Sequence, residues 1–147
     1  MDGELKARLS RLFGRYRGRV RAAFLFGSRV EGRSGPLSDY DFAILPAPGL
    51  ERGEARLDLI SDLVCDLAAE LGVREDLVDV VFLTDELPEE LIYRAVLRGI
   101  VLYAESPEVL TSLRERALRY LDFKAHAEKL RLRERALAAL GVGGRED

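Results

Sequence analysis

The sequence predicts an α/β domain in which short strands alternate with helices and a helical segment closes the chain. Three observations predict it: apolar residues recur at helical spacing in separate stretches, short continuous apolar runs lie between them, and glycine or proline marks the changes. A chain of 147 residues has the usual length of one domain. We therefore expect residues 1–147 to form a single domain, with a core at about 18–104 and a C-terminal helical segment at about 106–140.

The N-terminal part predicts a helix, a buried strand and a turn-rich loop. The helix ends at Gly14 or Gly18 and is indicated by apolar residues at helical spacing: Leu5, Leu9, Leu12 and Phe13. Residues 20–26 form a nearly continuous apolar run, which is typical of a buried strand. The loop from Gly27 to Pro36 is rich in glycine, and its first residues can open a short helix.

The middle of the chain predicts two strands joined by a long helix. Residues 39–45 begin with acidic side chains, become apolar and stop at Pro46, as expected of a strand whose first end is polar. An apolar helical stripe then extends from about residue 50 to 71 and stops at Gly72, so it suits a crossover connection. Residues 78–83 are the third predicted strand.

The last third predicts a helix, an edge strand and a long final helix. Pro88 and the two acids after it suit the first turn of a helix that continues to Gly99. Residues 100–103 form a short edge strand, and Ser106 caps a helix that extends toward Leu140. Within this helix we expect Tyr120 and Phe123 to pack, because aromatic side chains at helical spacing usually mark a core or partner face.

Composition limits the classes of function. The chain is 48% hydrophobic and 33% charged, with no apolar run long enough for a bilayer, so we expect a cytoplasmic protein without a membrane partner. The net charge of -3 argues against extended nucleic-acid binding, although arginines cluster near both ends. The single cysteine, Cys65, is expected to be a small buried hydrophobe.

Two short segments carry the pattern expected of a phosphate and metal site. Side chains two positions apart on a strand share a face, so Asp39 and Asp41 would lie side by side. Such a pair suits a magnesium ion that also binds substrate phosphates. Gly27 lets a backbone approach closely, Ser28 offers a hydroxyl and an amide, and a helix that starts here would direct amide groups at the same phosphates.

A third carboxylate would allow two metal ions to act together on a triphosphate. Asp79 is our choice, because it interrupts an apolar strand in which an acid is costly unless a cation or hydrogen bonds satisfy it. Asp76 and Asp85 are competitors in expected loops. The alternative for Asp79 is a buried or edge acid with ordinary hydrogen bonds.

The spacing of these residues resembles a known family. Gly27 and Ser28, followed by ten residues and then Asp39 and Asp41, resemble the G-S-x10-D-x-D signature of polymerase-beta-like nucleotidyltransferases, in particular the minimal nucleotidyltransferase (MNT) proteins. The similarity extends through Asp79 and less specifically into residues 97–103. Residues 120–124 are similar to the C-terminal helix of MNT antitoxins that are paired with HEPN toxins.

The resemblance implies a small mixed sheet flanked by helices, two Mg²⁺ ions, and transfer of AMP from ATP. It implies that Asp39 and Asp41 bind both metals and that Asp79 binds the metal that activates the acceptor. The nucleotide would contact four matched residues: Gly27, Ser28, Arg29 and Ser38. In MNT antitoxins the implied acceptor is a tyrosine of the cognate HEPN toxin, which becomes adenylylated and inactive.

Other interpretations remain open. The chain could neutralise its partner by masking it without catalysis, or it could transfer the nucleotide to a small molecule such as an aminoglycoside. Three acids four residues apart on the long helix, Asp58, Asp62 and Asp66, fit a solvated helix face better than a metal site. His126 lies among charged residues and is expected to be exposed.

Overall fold

The computed structural model describes residues 1–141, and its elements follow the predicted order. The elements are α1 (Gly3–Gly14), β1 (Val20–Phe26), α2 (Ser28–Glu31), β2 (Tyr40–Pro46), α3 (Gly53–Leu71), a 3-10 turn (Glu75–Leu77), β3 (Val78–Phe82), α4 (Glu89–Val96), β4 (Ile100–Ala104) and α5 (Pro107–Ala139). The predicted alternation of helices and strands is therefore confirmed.

The four strands form one mixed sheet in the order β3-β2-β1-β4. β1 pairs antiparallel with both β2 and β4, whereas β2 and β3 are parallel. Parallel neighbours need a long crossover, and α3 supplies it. The small mixed sheet flanked by helices is thus the fold that the resemblance implied.

Alternating side chains of the sheet build two apolar layers. On one face, α1 and α3 cover the sheet around Phe13, Phe42 and Leu63. On the other face, α4 and the first turns of α5 pack against the sheet around Phe24 and Ile92. Successive strand residues point to opposite faces, so each central strand contributes to both layers.

Local sequence explains the ends of the helices. α5 begins at its predicted cap, where the Ser106 hydroxyl accepts a hydrogen bond from the Val109 amide at 3.2 Å. α3 ends at Leu71 and is followed by the capping residue Gly72, whose φ of +69° is the left-handed conformation typical of a helix cap. The predicted continuation of the fourth helix to Gly99 is wrong, because α4 ends at Val96 and the chain then turns into β4.

Some side-chain predictions were wrong. Cys65 is exposed, because it lies on another side of α3 from the buried residues of that helix, which are Leu59, Leu63, Leu67 and Ala68. Phe123 is 65% exposed, whereas Tyr120 does pack, with its ring centroid 5.4 Å from that of Tyr93. In the part of the chain that the structure describes, no helix is both long enough and apolar enough to cross a membrane.

Candidate active site

The pairing of β2 with β3 makes Asp41 and Asp79 direct neighbours on adjacent strands. Each is the second residue of its strand, and the parallel register of β2 and β3 places Asp41 beside Asp79. On the other side of β2, Asp41 pairs with Phe26, the last residue of β1, and Gly27 follows directly. The end of β1 and the beginnings of β2 and β3 therefore meet at one edge of the sheet.

The carboxylates at this edge repel one another. The pKa of Asp41 is raised above its ordinary value, first by burial and then by the negative charges of Asp79 and Asp39. Arg94 of α4 opposes this shift with its positive charge. The three aspartates predicted from sequence thus act on a common electrostatic site, in which the charge of Asp41 is unfavourable without further cations.

The reason given for choosing Asp79 was wrong, although the residue lies at the site. Asp79 is exposed, because β3 is an edge strand of the sheet and its second residue is open to solvent. An exposed acid needs no cation to satisfy it. What places Asp79 at the site is its register with Asp41, and register is a property of the folded sheet. Asp39 is exposed as well and lies immediately before β2.

Gly27 is packed against the Asp41 carboxylate. Its φ of +86° is a conformation that residues with a side chain rarely adopt. A Cβ at this position would lie 2.5 Å from Oδ2 of Asp41. Only glycine therefore allows the backbone after β1 to approach Asp41 this closely.

The short helix α2 follows this glycine. The amides of Val30 and Glu31 both donate to the carbonyl oxygen of Gly27 at 3.0 Å, which closes the single turn. Ser28 is the first residue of α2 and is half-buried, and Gly32 ends the turn with a φ of +77°. The predicted short helix is confirmed, and it holds Ser28 one residue from the contact between Gly27 and Asp41.

Arg29 and Ser38 connect α2 to the segment that carries Asp39. Nη2 of Arg29 donates to the carbonyl oxygen of Ser38 at 2.8 Å, and the guanidinium lies 4.1 Å from the centroid of the Tyr40 ring. The Ser38 hydroxyl accepts a hydrogen bond from the Gly35 amide at 2.9 Å. Both polar groups thus support the loop before β2, and their contacts with a nucleotide stay a prediction.

Sequence reasoning missed two residues at the site. Nη2 of Arg94 lies 3.6 Å from Oε2 of Glu31, and Glu31 also pairs with Arg33. Glu31 ends α2, so the pair ties α4 to the turn that follows Gly27. No local pattern marks Arg94, because 63 positions separate it from Glu31 and only the packing of α4 brings it to this edge.

The donor set fits a hard cation that is shared with a substrate. Across residues 1–141, no three His, Cys, Asp or Glu side chains are grouped closely enough to enclose a metal on their own. Magnesium, however, usually takes one or two carboxylates and completes its shell with water and substrate phosphates. The repulsion at Asp41 and the oxygen donors of Asp39 and Asp79 suit that mode of binding.

Comparison with known proteins identifies the family. A family model described as "Polymerase beta, Nucleotidyltransferase" matches residues 8–108, which is more than half of the chain. The chain belongs to this nucleotidyltransferase family. No curated protein sequence was found to match it.

Solved structures of toxin-antitoxin complexes share the nucleotidyltransferase fold. One, described as the toxin-antitoxin with AMP-PNP, is 23% identical over 89% of this chain and 95% of its own, with a TM-score of 0.55. A second, the tri-AMPylated Shewanella oneidensis HEPN toxin in complex with MNT antitoxin, is 22% identical over 95% and 97%, with a TM-score of 0.54. The MntA-HepT toxin-antitoxin is 21% identical over 94% and 97%, with a TM-score of 0.54. The predicted fold and family are therefore confirmed.

Proposed function

We propose that this nucleotidyltransferase is a Mg²⁺-dependent adenylyltransferase that transfers AMP from ATP to a tyrosine of a cognate HEPN toxin and thereby acts as its antitoxin. The observation that carries the proposal is the register of Asp41 with Asp79, together with the close packing of Gly27 on Asp41. The arrangement supports the proposal because the Gly27 backbone, which would bind phosphate, packs against the Asp41 carboxylate, and the negative charges of Asp79 and Asp39 disfavour the charge of Asp41. ATP and the toxin are cytoplasmic molecules in this proposal, so the cytoplasm is the proposed location.

In the proposed reaction, the acceptor hydroxyl oxygen attacks the α-phosphorus of ATP. A new P–O bond forms, the bond to the β-phosphate oxygen breaks, pyrophosphate leaves and the hydroxyl proton passes to solvent. Magnesium ions, when bound, would neutralise phosphate charge and favour ionisation of the acceptor. Asp39 and Asp41 would hold both ions, and Asp79 would hold the ion on the acceptor side.

The remaining matched residues would position the triphosphate. Ser28 presents its hydroxyl and amide beside Gly27, at the start of α2. Arg29 and Ser38 would act on the nucleotide through the loop that they hold, with direct phosphate contact as a further expectation. Positioning of this kind is the main contribution of the protein in phosphoryl and nucleotidyl transfer, because it aligns the attacking and leaving oxygens.

The structural neighbours support a protein acceptor. Their descriptions name AMP-PNP in one complex and a tri-AMPylated HEPN toxin bound to an MNT antitoxin in another. The present chain spans 95% and 97% of the length of those two proteins, so it has room for the same elements. The choice of a toxin tyrosine as acceptor rests on this similarity, whereas the nucleotidyltransferase assignment rests on the family.

Intact mass spectrometry of the cognate HEPN protein tests the proposal. The HEPN protein is incubated with this chain, ATP and Mg²⁺, alongside Asp41→Asn and a control, Asp58→Asn, which changes an exposed acid on α3. We expect mass gains of whole AMP units with the wild type and the control, and none with Asp41→Asn. If the HEPN protein is neutralised but its mass is unchanged, the proposal is wrong and the chain neutralises its partner by masking it. If AMP is transferred to an aminoglycoside instead, the acceptor is a small molecule.

A further inference from the structure

The second half of α5 leaves the body of the protein. Val109, Leu113 and Ala117 are buried, but none of the residues described after Ala117 is buried. Seven of the ten large hydrophobic side chains that are exposed among the described residues lie beyond this point: Leu118, Leu121, Phe123, Leu130, Leu132, Leu137 and Leu140. Exposed apolar side chains concentrated on one element usually mark an interaction surface.

Six of these side chains, all except Leu140, lie in two stripes on opposite sides of the helix. A helix turns by about 100° per residue, so six residues fall within one narrow arc. We call them the seam: Leu118, Leu121, Ala125, Leu132, Ala136 and Ala139. Phe123, Leu130 and Leu137 are seven residues apart and lie roughly opposite the seam. Residues 118, 125, 132 and 139 of the seam are also seven apart, which is the spacing of helices that pair along their length.

From this spacing we infer that the seam binds the seam of a second copy of the chain, with the two helices antiparallel. A two-fold axis between residues 128 and 129 would place Leu118 opposite Ala139 of the second copy and Leu121 opposite its Ala136. Ala125 would face Leu132 in the same way. Each leucine then meets an alanine, which is the large-to-small match that close packing requires.

The charge distribution also favours this pairing. Residues 1–117 contain 16 basic and 21 acidic side chains, whereas residues 118–139 contain six basic and three acidic ones. All of this basic excess lies in residues 129–139, which contain four basic side chains and one acidic one. Antiparallel helices would bring this basic half alongside the electrically balanced residues 118–128 of the second copy and toward its acidic body.

A parallel arrangement is disfavoured by the same charges. It would align the basic residues 129–139 of the two copies and bring the two acidic segments, residues 1–117 of each copy, together. Like charges that close to each other repel. In the antiparallel arrangement the bodies lie at opposite ends of a paired segment of about 33 Å, well beyond the screening length of about 8 Å at physiological salt. The seam is thus self-complementary in shape and in charge, as a symmetric dimer interface requires.

Sedimentation velocity of the full chain tests the inference without reference to any partner. For the wild type we expect a mass twice the 16.5 kDa of one chain. For the variant that combines Leu121→Glu with Leu132→Glu, we expect the dissociation constant of the dimer to rise at least about 100-fold. The matched control is Leu130→Glu, on the opposite side of the same helix, which should leave the dimer intact. Circular dichroism checks that each variant keeps its helix content.

Cysteine cross-linking tests the orientation. In a Cys65→Ser background, which removes the exposed native thiol, Leu118→Cys with Ala139→Cys should give a covalent dimer on oxidation, and Leu118→Cys alone should not. If sedimentation shows that the wild type is a monomer at high micromolar concentration, the inference is wrong and the seam binds a different protein. Dissociation by Leu130→Glu instead of the seam variant, or cross-linking by Leu118→Cys alone, would overturn it as well.

Discussion

Replacing Gly27 by alanine should damage stability and catalysis together. The new Cβ would lie 2.5 Å from Oδ2 of Asp41, and ordinary contact begins at 3.4 Å, so one of the two groups must move by about 0.9 Å. The backbone angles of Gly27, φ +86° and ψ -154°, lie in a region almost restricted to glycine, which adds about 1–3 kcal/mol for any other residue. Crowding of the carboxylate adds about 1–3 kcal/mol.

We therefore expect Gly27→Ala to lower the free energy of unfolding by about 2–6 kcal/mol. A displacement of nearly 1 Å at a metal-binding carboxylate should reduce the rate of AMP transfer roughly 100-fold. Urea denaturation measures the first quantity, and single-turnover transfer at a temperature where the variant is folded measures the second. Gly32→Ala is the control, because Gly32 has a φ of +77° but nothing within 4 Å of an added Cβ.

A double-mutant cycle isolates the contact with Asp41. In an Asp41→Ala background the crowding is removed, so Gly27→Ala should be less destabilising there by about 1–3 kcal/mol. Gly32→Ala should have about the same effect in both backgrounds, near 1–2 kcal/mol. Equal costs for Gly27→Ala in the two backgrounds would refute the reasoning, because the loss would then come from the backbone alone.

Three further outcomes are expected. Asp41→Asn should raise the melting temperature in EDTA at neutral pH by about 1–4 °C, because it removes a charge that its neighbours repel. This gain should vanish at acidic pH, where the raised pKa leaves wild-type Asp41 protonated. A lower melting temperature of the variant at neutral pH would contradict the electrostatic explanation. Gly99→Ala should cost about 1–3 kcal/mol in urea denaturation, because its Cβ would overlap the carbonyl oxygen of Ala95. Tyr16→Phe should cost about 1.5–3 kcal/mol, since it removes the 2.6 Å hydrogen bond to Asp66. Burial and Asp66 raise the Tyr16 pKa above its ordinary 10.0, so this stability is present below pH 10 and should decline at higher pH in the wild type but not in Tyr16→Phe.

Elements were predicted well where the signal is local. Each helix and strand has its own apolar period, and residues such as Ser106 and Gly72 mark ends by their own conformational preference. Apart from the end of α4, the predictions that were wrong concern long-range packing. Cys65 is exposed because another side of α3 packs against the sheet. Phe123 is exposed because α5 continues beyond the part of the chain on which its first turns pack.

The candidate site divides in the same way. Gly27, Ser28, Asp39 and Asp41 lie within 15 positions of one another, so their spacing alone indicates a nucleotide and metal site. Asp79 was chosen for a burial that it does not have, and its place beside Asp41 follows from strand register. Arg94 had no signal at all, since a single arginine on a helix is indistinguishable from a surface charge until the helix is packed.

By itself, the sequence determined the order of elements, the family and the first half of the site, because periodicity, caps and a short motif are written along the chain. Only the tertiary structure decided which residues from distant segments join that motif and how each charge is balanced. It also decided that α5 extends beyond the core and leaves its apolar seam uncovered by the rest of the described chain. The physical reason is that strand pairing and helix packing set the distances between remote side chains, and those distances determine both electrostatics and exposure.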